Sequence, residues 1–151
     1  MAGTITDDDA FLARAAAIAE HARAGLTEQR RHPALIFLWL PSDELRVAPL
    51  QRRLEPERRA WRRVVREALA EDARGIVFAG EGWAEDDTGE LAESLIVSAL
   101  TRSGRSRTET TPFTRERGRR VELHEGRVLE EPGPFLDGVR QAWAGESTDD
   151  D

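Results

Sequence analysis

One carboxylate stands where it could do chemistry. In Gly75-Ile-Val-Phe-Ala-Gly-Glu-Gly-Trp83 an apolar run ends in Glu81, set between two glycines and followed one residue later by an indole. A carboxyl group at a strand end beside an aromatic ring can be desolvated, and desolvation raises its pKa toward the range of a general acid or base. Glu81 is therefore the best candidate for a catalytic residue and Trp83 a candidate for binding. The plainer reading is that the strand stops there, Glu81 is solvated and Trp83 closes the edge of the core. Just downstream, Glu85, Asp86, Asp87, Glu90 and Glu93 supply oxygens that a divalent cation would need. Their spacing is not that of a D-x-[DN]-x-[DN]-G loop and no histidine is near, so a solvated loop and no metal are expected.

Other chemistries lack their residues. His21, His32 and His124 fall on separate segments without ligand spacing. There is no cysteine, which removes disulfides, thiolate zinc sites and thiol nucleophiles. No serine lies in a G-x-S-x-G elbow or an S-x-x-K box. All 22 basic residues are arginine, so a phosphate loop has no lysine to complete it, and Gly80-Glu-Gly82 alone is not a dinucleotide motif. No cofactor is expected. The arginines cluster instead: residues 46–74 carry nine against five acids, and residues 102–127 carry eight against four, within a chain of net charge −7. Arg59, Arg62, Arg63 and Arg66 fall on one side of a helical pattern and are candidates for contact with phosphates or with an acidic protein partner. Against nucleic acid stand the acidic total and the lack of an exposed aromatic pair on the polar strand that follows.

The elements that must position these residues follow from periodicity. Thr6 fits a helix N-cap with Asp7, Asp8 and Asp9 in the first turn. Phe11, Ala15, Ile18 and Ala22 then keep helical spacing up to a stop at Gly25. Residues 34–40 form an apolar run too short for a helix and are expected to be a strand buried on both faces, followed by a turn and a hairpin partner over 45–49. Residues 55–73 give the clearest helix, with Trp61, Val64, Val65, Ala68 and Leu69 on one stripe. A strand over 75–79, an acidic connection over 81–93 and a second apolar strand over 94–101 come next. Gly104 suits a tight hairpin turn into a polar outer strand over 107–114, where Pro112 favours an edge or a bulge. Residues 121–124 alternate, and Gly133-Pro134 opens a last helix that carries Phe135, Leu136, Val139, Ala142 and Trp143 on one face and stops at Gly145. The expected fold is α+β, a single antiparallel-rich sheet with helices packed on it, in the order α-ββ-α-βββ(β)-α.

The strand ending in Glu-x-Trp, Ile76-Val-Phe-Ala-Gly-Glu-Gly-Trp83, resembles small uncharacterised proteins of bacteria and their phages. In these an acidic loop and a second apolar strand, here Glu93-Ser-Leu-Ile-Val-Ser98, follow the motif. The likeness covers residues 34–125 and implies no known activity. Its middle position is Gly82, where alanine would be usual. The element order separately looks like that of profilin-like or roadblock-like interaction domains, as a matter of fold analogy. At 151 residues one domain is expected over 1–145, with a disordered acidic tail over 146–151. The first residues show no signal-peptide pattern and no apolar run approaches the length of a membrane span, so the expected location is the cytoplasm, away from membranes. The function expected from these features is a non-catalytic protein-interaction or self-associating module, a homodimer or a partner for an acidic protein. An enzyme using Glu81 with the acidic loop, and a nucleic-acid binder using the arginine blocks, stand as alternatives.

Overall fold

In the computed structural model, residues 7–50 and 57–148 are described. The first helix, α1 (Asp7–Gln29), buries Phe11, Ala15, Ala19, Ala22 and Leu26 along one line. Three of these five residues are alanine, so the helix axis can lie close to the sheet. The stop expected at Gly25 is corrected: the helix runs through it and ends at Gln29, with Arg30 in the left-handed region at φ 65°. Thr6, the expected N-cap, lies outside the described residues. The acids of the first turn reach across to the sheet's loops. Asp7 pairs with Arg74 at 2.8 Å, Asp8 accepts from the Ser103 hydroxyl, and Asp9 pairs with Arg105.

Seven strands form one antiparallel sheet: β1 (Leu35–Trp39), β2 (Leu45–Pro49), β3 (Gly75–Glu85), β4 (Leu91–Thr101), β5 (Ser106–Thr114), β6 (Glu122–Leu123) and β7 (Arg127–Leu129). Their order is β2-β1-β3-β4-β5-β6, and β7 also pairs with β5, further along the same strand. The second helix, α2 (Glu57–Ala70), separates the β1–β2 hairpin from the β3–β4–β5 meander. A short 3-10 turn (Pro134–Leu136) leads into α3 (Asp137–Thr148). The fold is therefore α+β with a single antiparallel sheet, in the expected order. None of its helices is long and apolar enough to cross a membrane, among the described residues.

The alternation of strand side chains divides the core in two. On one face Trp39, Val77, Ala79, Leu95, Val97, Ala99 and Phe113 pack beneath α1. On the other, Ile36, Leu38, Ile76, Phe78, Ile96 and Leu100 pack beneath α2 and α3. On α2 the buried line is Ala60, Val64 and Ala68, with Trp61 and Val65 half-buried beside it. Leu69, expected on that stripe, is exposed because it lies one residue past the line.

Several expectations are corrected. β3 runs to Glu85 and β4 starts at Leu91, so most of the expected acidic connection is strand, and only residues 86–90 turn. β1 is not buried on both faces: Leu35 and Phe37 are only half-buried, since α1 lies mainly over β3 to β6 and covers β1 only at Trp39, which stacks on Phe11. β5 is not the outermost strand, because β6 and β7 cover its far side. α3 passes through Gly145 to Thr148, which shortens the expected tail to residues 149–151, outside the described residues.

Candidate functional site

Glu81 sits within β3, opposite Leu95 of β4, on the face that α1 covers. Its carboxylate is occupied. One oxygen accepts the backbone N–H of His32 at 2.8 Å, and the other accepts both terminal nitrogens of Arg115, at 3.1 and 2.5 Å. The Arg115 guanidinium also lies 3.8 Å from Glu93 and 5.0 Å from the Phe113 ring centroid. With Glu81 and Arg115 side chains 20% and 14% exposed, this is a largely enclosed ion pair. It joins three segments: the loop after α1, the middle of the sheet and the loop after β5. Arg115 is the partner that sequence reasoning missed. It is thirty-four residues away, so no local spacing points to it.

The glycines that flank Glu81 have a packing reason. Side chains at 78, 80 and 82 would share the face opposite Glu81. A Cβ at Gly80 would lie 2.9 Å from the Phe78 ring and 3.2 Å from the Ala34 backbone, and one at Gly82 would lie 2.9 Å from Ile96 and 3.3 Å from Phe135. Phe135 stacks on Phe78 at 4.6 Å between centroids, with Trp61 of α2 at 5.7 Å from Phe78. The glycines make room for this aromatic cluster without ending the strand.

Trp83 is 67% exposed, and Leu91, diagonal to it on the β3–β4 hairpin, is 68% exposed. The hairpin tip is shaped by Asp86, whose Oδ1 accepts the Thr88 N–H at 2.8 Å, the Thr88 hydroxyl at 2.6 Å and the Glu90 N–H at 3.1 Å. The Thr88 hydroxyl hydrogen bond, followed by the Thr88 amide, holds the Asp86 carboxyl below its ordinary pKa. Among the described residues no group of three or more His, Asp or Glu side chains is placed to hold a metal ion. His21, His32 and His124 stay apart, on α1, on the following loop and beside β6.

The candidate arginines of α2 do not form a bare basic face. Arg59, Arg62 and Arg66 are exposed, but Arg63 lies 3.9 Å from Glu67. Arg46 of β2 reaches Glu67 at 3.6 Å and Glu71 at 3.2 Å. A denser grouping lies elsewhere. Arg30, Arg117, Arg119 and Arg120 line a cleft of about 700 Å³ between the end of α1 and the β5–β6 loop, with Glu28 beside them. Glu116 offsets part of it, accepting from Arg30 through its carbonyl and pairing with Arg119 at 3.5 Å.

The edge of β2 is open among the described residues. Leu50 donates to the Ala34 carbonyl and Leu40 to that of Glu44, both at distances below 3 Å. In that register Arg46 and Ala48 spend their backbone groups on β1, whereas Leu45, Val47 and Pro49 turn theirs outward. The side chains of these three share the α1-side face at its margin: Leu45 and Phe37 pack partly against the α1 core, and Val47 and Pro49 are exposed beyond it. Val47 itself is 52% exposed. The alternation in Leu45-Arg-Val-Ala-Pro49 carries this surface in the sequence.

Compared with known proteins, the chain matches no family model, no curated protein and no solved structure.

Proposed function

We propose that the protein is a non-catalytic interaction module that pairs with a second copy of itself through the edge of β2. The observation that carries this reading is the edge of β2, open among the described residues, with Val47 and Pro49 exposed where the cover of α1 runs out. Unpaired strand edges are templates for another strand. A two-fold axis at Val47 pairs it with Val47 of the partner subunit, each giving and taking a backbone hydrogen bond. Leu45 N–H then meets the carbonyl of the partner's Pro49. Proline has no N–H to offer, and it falls at the end of the pairing where one missing bond is tolerated. On the α1-side face Val47 meets its counterpart and Leu45 meets the partner's Pro49, an apolar ladder. On the opposite face each Arg46 is already neutralised by Glu67 and Glu71 of its own chain.

The test is sedimentation or light scattering across micromolar concentrations. The wild-type chain should approach twice its mass of 16.9 kDa. Val47→Lys, which puts two ammonium groups side by side at the axis, should be monomeric with unchanged circular dichroism. A wild-type monomer throughout, or a Val47→Lys dimer, would refute the reading.

A further inference from the structure

At the other end of the sheet, on the α2 and α3 side, the chain forms a half-open cavity of about 390 Å³, near the lower end of small-molecule pockets. Ile96 of β4, Thr110 of β5 and Leu129 of β7 line it, together with Ala84, Phe135 and Arg127. Three hydroxyls of β4 and β5 line it, Ser98, Thr108 and Thr110, and two are already used. Ser98 and Thr108 bond to each other at 3.0 Å, and Thr108 donates to the Glu131 carbonyl at 2.5 Å, which anchors the segment before Gly133. Thr110, opposite Ile96, is only 9% exposed, and its hydroxyl has no hydrogen-bond partner among the described residues. It is not sealed in either. The one side-chain polar atom fully buried without a partner among those residues is Trp143 Nε1, so the Thr110 hydroxyl opens onto the cavity it lines.

We propose that this cavity binds a compact, uncharged, mostly apolar molecule bearing one hydroxyl or carbonyl, with the Thr110 hydroxyl as its polar anchor. Apolar walls would solvate the body of the ligand, and a single unused donor-acceptor would meet its one polar group. The absence of charge follows from the mouth. Arg127 donates one terminal nitrogen to the Glu85 and Asp86 carbonyls, and Glu85 and Glu131 line the same mouth, so charges of both signs stand there and neither an anion nor a cation gains a net partner to offset desolvation. The site is remote from β2, and its test stands apart from that of self-association.

Benzyl alcohol and toluene form a matched probe pair, their affinities read by ligand-observed NMR titration. Wild-type protein should bind both saturably. Thr110→Val should weaken benzyl alcohol roughly three- to tenfold, the worth of one net hydrogen bond, and leave toluene unchanged. Ala84→Phe, which fills the cavity, should abolish both; if that variant does not fold, Leu129→Phe fills it from the opposite wall. No saturable binding by the wild type, equal loss of both probes in Thr110→Val, or binding that persists in the filled variant would overturn the proposal. The last result would place the probes in the neighbouring cleft between Trp61 and Phe135.

Discussion

Replacing Glu81 separates a carboxylate held for structure from one held for chemistry. Glu81→Ala removes the acceptor of the His32 N–H and leaves Arg115, only 14% exposed, with Glu93 at 3.8 Å as its remaining acid. Breaking a fully buried pair costs ~3–5 kcal/mol. A solvent-exposed pair is worth only ~0–1 kcal/mol. This pair lies between those limits and keeps a second acid, so a loss of ~2 kcal/mol is expected for alanine. Glu81→Gln keeps an oxygen for one donor and should cost ~1 kcal/mol. For a chain of this length the alanine loss corresponds to a Tm lower by roughly 4–8 °C. Urea unfolding, followed by far-UV circular dichroism, measures both variants. A cycle with Arg115→Met should return a coupling of ~1–2 kcal/mol. If Glu81→Gln is as stable as the wild type or more so, the reasoning fails. That gain is the signature of a site where stability has been given up for function.

Further outcomes come from the packing and the turn. Gly75→Ala puts a methyl 2.8 Å from Phe11 Cε2 and 3.0 Å from Trp39 Cε3, two stacked and buried rings that cannot both retreat, so it should cost ~1–3 kcal/mol and alter the near-UV dichroism. Gly82→Ala should cost less than Gly75→Ala, because its nearest neighbour is the free end of Ile96. Asp86 titrates below its ordinary value of 3.8, so the turn's contribution from this group is present above that value and fades as pH falls through the depressed one. Thr88→Val, which deletes the largest cause, should return the Asp86 carboxyl toward its ordinary pKa in a ¹³C-detected titration. No change on that substitution would refute the assigned cause.

What was legible in the sequence was whatever local pattern determines. The β1–β2 hairpin shows as alternation after an apolar run, and Gly104 takes the positive φ, 104°, that its turn requires. The sheet's antiparallel character follows from the short connections between strands. The errors share one cause, in that each depends on something distant in the chain. Gly80-Glu-Gly82 looks like a strand terminator until Phe135 is seen stacked over that face. The half-buried face of β1 depends on where α1 lies, which its own stripe does not reveal. Glu81 resembles an isolated acid until Arg115 arrives from the far end of β5. Arg30 ends α1 in a conformation that sequence rules reserve for glycine, and its charge then joins those of the β5–β6 loop.

The position of α1 also sets an order of events. Among the described strands, every pairing joins neighbours in the chain, or β5 to the two short strands after it, except that of β1 with β3, which spans α2. Short-range closures are fast, so the β3–β4–β5 meander can form early. α1 precedes all the described strands in the chain, yet the strands it covers are complete only once Leu123 has been made. Its docking is therefore expected to be a late step, with the contacts of Asp7, Asp8 and Asp9 to Arg74, Ser103 and Arg105 closing after the main barrier. Interactions formed that late govern how fast a native chain opens and leave its rate of folding almost unchanged. The acidic first turn of α1 is in this sense a latch on lifetime, and neutralising it would shorten the time the sheet stays covered.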